Sequence, residues 1–171
     1  MMALDLTEVN ALVGKESNLI AARHPANIPD IRHWCEVIRE DNRSYTVFER
    51  EVVHAPAALL MTWAMPPLWS PELRAAVEPH ERAIRMLEEA GYATGLTIAL
   101  EQKFLRPLKV GERLRYRVKF AGVSQSEVET VLGRGYELDL LYTFLGQDGE
   151  PVSEQRCRRA QMARVIVNRK H

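Results

Sequence analysis

The sequence is poor in several features that would tie it to a particular environment. It has only two cysteines in 171 residues, and Cys35 and Cys157 form no CxxC pair, which argues against zinc binding and against a disulfide-stapled secreted domain. The longest apolar run, residues 55–67, contains three prolines and is shorter than the roughly 20 residues of a membrane span. Asp5 and Glu8 interrupt any signal-peptide pattern at the N-terminus. We therefore expect a cytoplasmic protein without a membrane span.

Neither sign of charge is in excess over the whole chain, because 23 Lys and Arg balance 23 Asp and Glu. This balance argues against a general nucleic-acid binder. The charge is nevertheless uneven. Residues 103–119 hold seven basic residues and one acid, and residues 154–171 hold six and one. These basic segments are either solvated strand faces or a local site for a polyanion such as the phosphates of coenzyme A.

Helical patterns occupy the first half of the chain. Asp30 stands where an N-cap residue would, and apolar residues recur at helical spacing from Ile31 to Ile38. Residues 55–65 are apolar on nearly every side, which is typical of a buried helix. Residues 81–90 form an amphipathic stripe that Gly91 should end.

From Leu96 onward the apolar period changes to two residues, which predicts strands. On the first strand we expect one face to carry Leu96, Ile98, Leu100 and Phe104. Two further alternating stretches, residues 114–120 and 138–144, precede a hairpin signal at 147–150 and a last strand at about 152–167. Helices followed by an antiparallel meander predict an α+β fold in which the sheet wraps a buried helix.

Other chemical signatures are missing. No histidines stand at metal-ligand spacing with a third ligand, so we expect no metal. His24 and His80 neighbour prolines or charges and should lie in loops. Neither Ser126 nor Ser153 lies in a Gly-x-Ser-x-Gly elbow. The glycines of residues 133–136 are too few for a dinucleotide loop and indicate a bulge or a close backbone approach.

Four segments, taken together, carry a resemblance to a known family. They are residues 31–36 followed by Asn42 and Tyr45, residues 54–66, residues 101–114 and residues 132–136. In this order they resemble the MaoC-like dehydratase and hydratase family, in its N-terminal-half type. Within that type they are similar to the MaoC-like subunits of steroid side-chain enoyl-CoA hydratases. The resemblance implies a single hot-dog domain over residues 1–171 that acts on an acyl-CoA or acyl-carrier thioester and needs no other cofactor.

Hydrating members of the family carry Asp-x-Asn-Pro-x-His on the loop after the first helix, where carboxylate and imidazole activate a water molecule. The matching positions here are Glu40, Asn42, Arg43 and Tyr45. A phenol, with an ordinary pKa of about 10, is a poor base at pH 7. If the chain is catalytic alone, the resemblance makes Glu40 the carboxylate, Asn42 the loop-ordering or water-binding amide and Tyr45 the proton donor.

The departure from the motif favours a subunit that shapes the acyl tunnel while a second hot-dog subunit supplies the catalytic pair. That partner is either a second copy or a different chain, and edge-to-edge pairing of the sheets would cover an exposed strand. Two alternatives stay open. One is a non-catalytic acyl-thioester binding or scaffold protein, and the other is a hot-dog thioesterase.

The substrate-binding candidates are His54, Trp63, Met65, Trp69, Arg106 and Arg113. Residues 66–94 exceed what a minimal hot-dog domain needs. This insertion is either packed on the surface or forms a flap over the tunnel, with the two tryptophans and Met65 as an apolar wall. His54 has two further interpretations. It either pairs with Asp41 in a shifted register or bonds to backbone at the start of the next helix.

Overall fold

The computed structural model describes residues 4–46, 54–65, 78–130 and 133–163. Helical segments dominate the first half of the chain, as the apolar spacing predicts. They are α1 (Thr7–Asn10), α2 (Ile28–Ile38), α3 (Arg43–Thr46), a 3-10 turn (Ala57–Leu59), α4 (Leu60–Ala64) and α5 (Pro79–Glu89).

Eight strands form an antiparallel framework within the described residues. They are β1 (Ile20–Ala21), β2 (His54–Ala55), β3 (Thr94–Phe104), β4 (Leu108–Lys109), β5 (Arg115–Val123), β6 (Val128–Thr130), β7 (Gly133–Leu145) and β8 (Pro151–Met162). The main sheet has the order β1-β5-β7-β8-β3, with β6 added to β7, while β2 pairs with β4. In this order β3 lies at one edge of the main sheet. The α+β fold is confirmed.

One face of the main sheet, which we call the inner face, carries the core. Alternating residues of β5 and β7 fill it, as the two-residue period predicts. The fully buried ones are Val118, Phe120, Leu138 and Phe144. Helix α5 packs on β5 and β8, and its Ala83 and Leu87 are fully buried.

The buried helix expected over residues 55–65 is shorter than its composition suggests. It consists of the 3-10 turn and α4, which together cover residues 57–64. Leu60 and Trp63 are buried, whereas Met65 is 56% exposed. The helix with the larger contact to the central strands is α5, which buries Ala83 and Leu87 completely. Of the insertion, residues 66–77 lie outside the described residues.

Helix α2 begins two residues before the expected N-cap. The Asn27 side chain accepts a hydrogen bond from the Asp30 backbone amide at 3.0 Å and so caps the helix. Pro29 fits the first turn, where no amide donor is needed. Asp30 therefore lies in the first turn and is not the cap. At the other end Arg39 adopts a left-handed conformation, with φ 58°, and turns the chain into the loop of Glu40.

The expectation that one face of β3 holds Leu96, Ile98, Leu100 and Phe104 is wrong for the first half of the strand. Thr97 pairs with Arg159 and Ala99 with Arg158, so Ile98 has no partner and forms a bulge. One extra residue reverses the alternation. Leu100 and Phe104 therefore lie on the inner face, and Leu96 lies on the outer one.

Two glycines behave as the sequence indicates. Gly91, with φ 98°, follows the end of α5. At Gly135 a Cβ atom would lie 2.1 Å from the Gln161 backbone oxygen, so this glycine permits the close approach of β7 to β8. His80, by contrast, is not in a loop. It lies in the first turn of α5 and is only 8% exposed.

Candidate functional site

A pocket of about 360 Å³ lies where α3, β2 and the end of β3 meet. Its polar side chains come from α3, β2 and the segment that follows β3, and its apolar wall comes from β2, the 3-10 turn and the end of β3. The lining residues are Ser44, Tyr45, His54, Ala55, Ala57, Phe104, Leu105, Arg106 and Pro107. Two residues singled out in separate sequence segments, Tyr45 and His54, thus share one pocket.

The loop before α3 explains why only part of the degenerate motif reaches this pocket. The Asn42 side chain accepts the Ser44 backbone amide at 2.9 Å, which starts the short helix. Glu40 accepts the backbone amide of Asn42 at 2.9 Å. These bonds hold α3 and present Tyr45 to the pocket, whereas Glu40 and Asn42 do not line it. Their catalytic roles stay predictions.

His54 is positioned by the two-stranded sheet. It pairs with Lys109, and Ala55 pairs with Leu108. The histidine is half-buried and also lines a neighbouring pocket of about 530 Å³. His54 therefore faces the junction of two pockets, on the strand that leads into the 3-10 turn.

Arg106 borders both pockets, but its guanidinium is already engaged. It donates to both carboxylate oxygens of Glu112, one of them at 3.1 Å, and forms a 3.4 Å ion pair with Asp148. The hydrogen bonds from Arg106 hold the pKa of the buried Glu112 below its ordinary range. The second pocket is also lined by Asp148 and Glu150. Carboxylates thus surround Arg106, which the sequence predicted to bind a phosphate group.

The remaining candidates have structural contacts. Arg113 donates to the backbone oxygens of Ala22 and Arg23 at 3.4 and 3.3 Å. The indole nitrogen of Trp63 donates to Asp30 at 2.9 Å, which joins α4 to α2. Neither side chain lines the pocket that holds Tyr45, and Trp69 lies outside the described residues. Substrate binding by all three stays a prediction.

Sequence reasoning missed the apolar wall of the pocket. Phe104 is 49% exposed and Leu105 is 42% exposed; the first is the last residue of the edge strand and the second follows it directly. The signal was available, because Phe104 closes an alternating run just before Pro107 breaks the strand. Exposed aromatic surface beside a pocket is typical of a binding site.

Within the described ranges, no group of three His, Cys, Asp or Glu residues could hold a metal ion. Over the same part of the chain, no helix combines the length and apolar character that crossing a membrane would take.

No protein-family model matches the chain. Two curated relatives do. A probable enoyl-CoA hydratase alpha subunit from Thermomonospora curvata is 33% identical over 146 residues, which are 78% of this chain and 44% of the relative. The 3-oxo-4,17-pregnadiene-20-carboxyl-CoA hydratase alpha subunit of Mycobacterium tuberculosis is 30% identical over 121 residues, 67% of this chain and 38% of that protein. The chain spans less than half the length of either relative.

Two solved structures share the fold. A chain of the ChsH1-ChsH2 complex from Mycobacterium tuberculosis superposes with a TM-score of 0.72 and 24% identity, over 92% of this chain and 94% of that one. A MaoC-like dehydratase superposes with a TM-score of 0.60 and 17% identity, over 91% of this chain and 43% of the other. The order of the strands in the main sheet and the packing of α5 on β5 and β8 are those of a hot-dog domain. The solved structures confirm the fold that the resemblance implies, and the sequence is similar to alpha subunits of two CoA hydratases.

Proposed function

We propose that the chain is a subunit of an enoyl-CoA hydratase or 3-hydroxyacyl-thioester dehydratase, and that a partner hot-dog subunit supplies the catalytic carboxylate and imidazole. One observation carries the proposal. The pocket combines an apolar wall with Tyr45 and His54, yet the only acid of the degenerate motif, Glu40, bonds within its own loop. Both curated relatives are named alpha subunits of CoA hydratases, which supports a role in a multi-subunit enzyme.

The reaction sets the demands on such a pocket. Hydration adds a water oxygen to the β-carbon of an α,β-unsaturated thioester and a proton to the α-carbon, while negative charge develops on the thioester oxygen. A base must take the proton from water, and hydrogen-bond donors must meet the developing oxyanion. In this proposal Phe104 and Leu105 hold the acyl group, and Tyr45 and His54 orient the thioester.

The edge strand β3 is the surface proposed for the partner. It is the terminal strand of the main sheet as described, so its outward backbone groups can pair with another strand. Ile98, Leu100 and Phe104 on this strand are 39%, 52% and 49% exposed. Because Phe104 also lines the pocket, a partner paired along β3 would lie beside the bound thioester. The structural neighbours include two complexes of hot-dog chains, ChsH1-ChsH2 and HadBC.

The substrate is proposed to be a CoA or acyl-carrier thioester, and a cytoplasmic location belongs to the same proposal. The apolar wall suits an acyl chain, whereas the carboxylates around Arg106 make that residue a poor phosphate ligand. We therefore expect the carrier phosphates to contact other basic residues or the partner.

The test is an activity assay of the chain alone and of the chain co-expressed with a neighbouring hot-dog chain that carries an intact Asp-x-Asn-Pro-x-His string. Crotonyl-CoA and a bulkier enoyl-CoA serve as substrates, and loss of enoyl absorbance reports hydration. We expect activity only from the pair. Robust turnover by the chain alone, abolished in Glu40→Ala, would place the catalytic carboxylate here. Release of free thiol would indicate a thioesterase instead.

The docking surface has its own test. Leu100→Lys introduces a charge on the edge strand and should separate the pair in size-exclusion chromatography with light scattering. Thr143→Lys, on strand β7, which β8 separates from the edge, is the matched control and should leave the pair intact. A pair that survives the change at Leu100 would rule out β3 as the docking edge.

A further inference from the structure

A row of hydrogen-bonding side chains crosses the inner face next to the edge strand. Gln102 on β3, Gln155 on β8 and Tyr142 on β7 are direct partners in the strand register. Side chains of such cross-strand partners lie about 5 Å apart at their Cβ atoms. Three polar groups in one row are unusual on a face that is otherwise apolar on β5 and β7.

Gln155 is the centre of this row and has no hydrogen-bond partner within the described part of the chain. It is 2% exposed, and both its amide nitrogen and its amide oxygen are buried without a partner. Two neighbouring side chains form their hydrogen bonds with other groups. The Gln102 amide donates to Ser153 at 3.2 Å, and Ser153 donates to the Lys103 backbone oxygen at 2.9 Å. A buried polar group without a partner costs about 1–3 kcal/mol, so such groups are rare in folded proteins.

Tyr142 adds a hydrogen-bond donor beside this amide. Among the described residues its hydroxyl forms no hydrogen bond, and burial raises the pKa of this phenol. The hydroxyl therefore keeps its proton at neutral pH. Its ring stacks on Phe144 with centroids 5.9 Å apart, which fixes its orientation.

The row lies one inward-facing position along β3 from the candidate pocket. Phe104, which lines the pocket, is two residues from Gln102 on the same face of β3, a distance of about 7 Å along the strand. On the far side of Gln102, Leu100 is 52% exposed although it too faces inward. An acyl chain that leaves the pocket along the inner face of β3 would therefore reach Gln155.

We infer that Gln155 and Tyr142 form a polar subsite for a carbonyl or hydroxyl oxygen carried on the acyl chain. Gln155 and Tyr142 donate to a carbonyl oxygen, and the amide oxygen of Gln155 accepts from a hydroxyl group. This inference rests on the proposed function and adds a substrate class to it, namely acyl thioesters with an oxygen substituent remote from the thioester. A plain hydrocarbon chain would leave the amide unpaired.

The experiment compares binding of decanoyl-CoA with its keto analogues, which carry one ketone at successive carbons in the distal half of the chain. Isothermal titration of the chain in complex with its partner subunit should show one keto isomer bound roughly tenfold more tightly than decanoyl-CoA, the gain expected from one or two new hydrogen bonds. Gln155→Met and Tyr142→Phe should each reduce that preference several-fold. Thr143→Val, next to Tyr142 but in the opposite orientation on the strand, should preserve it.

A stability measurement separates this role from a structural one. Without ligand, Gln155→Met should melt at the same temperature as the wild type or higher, because it removes an unpaired buried amide. A melting temperature several degrees lower would show that the amide is already satisfied, and would overturn the subsite. Equal binding of keto and plain thioesters by the wild type would overturn the subsite alone. Failure to bind any thioester would overturn the proposed function with it.

Discussion

The Glu40 carboxylate accepts a hydrogen bond from the backbone amide of Asn42 at 2.9 Å, in a loop whose sequence fits two different roles. An acid and an amide two residues apart fit a catalytic motif, and they equally fit a turn that starts a helix. In the structure they start α3, because the Asn42 side chain accepts the Ser44 amide.

Glu40→Ala and Asn42→Ala should change stability and leave the chemistry of the assembled enzyme nearly intact. Loss of the Asn42 cap should cost about 0.5–1 kcal/mol in the free energy of unfolding, the usual range for a cap residue. Urea titration measures this cost, and steady-state kinetics with the partner present should show kcat within about twofold of the wild type. A hundredfold loss of kcat in Glu40→Ala, with stability unchanged, would contradict this prediction.

Tyr45→Phe and His54→Asn should have the opposite effect. Both side chains line the pocket, so their removal should raise KM or lower kcat of the assembled enzyme by about tenfold, the worth of one or two lost hydrogen bonds. Circular dichroism should show unchanged folding. Ser44→Ala, at the same pocket but smaller in reach, provides a comparison, and equal effects of all three changes would argue for a general disturbance of the pocket.

His80 should make the fold sensitive to acid. Its burial lowers its pKa from 6.5 to about 4, with Glu78 acting weakly in the opposite direction. Below pH 6.5 the unfolded chain binds a proton that the folded chain does not bind until about pH 4. The associated stability is complete above pH 6.5 and is lost as the pH falls toward 4, by up to about 3 kcal/mol.

Urea unfolding at neutral pH and at a pH between 4 and 6.5, the lowered and the ordinary pKa of His80, tests the role of this residue. His80→Gln should flatten the pH dependence of the free energy of unfolding, whereas His33→Gln, an exposed histidine on α2, should leave it unchanged. The prediction fails if the two variants show the same slope.

Arg106 should act on stability more than on CoA binding. Arg106→Met leaves Glu112, which is 8% exposed, without its main partner, and should cost about 2 kcal/mol. Replacing both residues, as in Arg106→Met with Glu112→Leu, should recover much of this loss, because no buried charge is then left alone. Arg113→Met, which loses only bonds to backbone oxygens, is the control.

Binding of a CoA thioester to the same variants decides the role of Arg106 in phosphate recognition. We expect affinities within about twofold of the wild type at several salt concentrations. A tenfold weaker and less salt-dependent affinity in Arg106→Met, at full stability, would establish the phosphate contact predicted from the basic segment.

The fold was largely predictable, because apolar period is a local property. The two-residue alternation from Leu114 to Phe120 and from Leu138 to Phe144 identified the central strands and their buried face. The stripe ending at Gly91 identified α5. The relative importance of α4 and α5 was not predictable, because composition shows that a helix is apolar and does not show how much of the sheet it covers.

The site was predictable only in part. Tyr45 and His54 come from two separate predictions, and the structure brings them into one pocket, whereas residue types alone do not distinguish a loop-ordering role from a catalytic role at Glu40. Nor could it place Gln155 and Tyr142 in one row, since that depends on strand register between residues far apart in the sequence. The ion pair of Arg106, just after β3, with Asp148, in the turn between β7 and β8, was hidden for the same reason.

The unpaired Ile98 sets the two halves of β3 out of phase with each other. Deleting this residue would change the composition and length of the strand very little. The side chains of residues 94–97 would nevertheless move from one face of the sheet to the other. A second chain that pairs along the whole edge must carry a matching irregularity or end its pairing at this point. The number of residues in the edge strand, as much as their chemistry, therefore decides which chains can join the sheet.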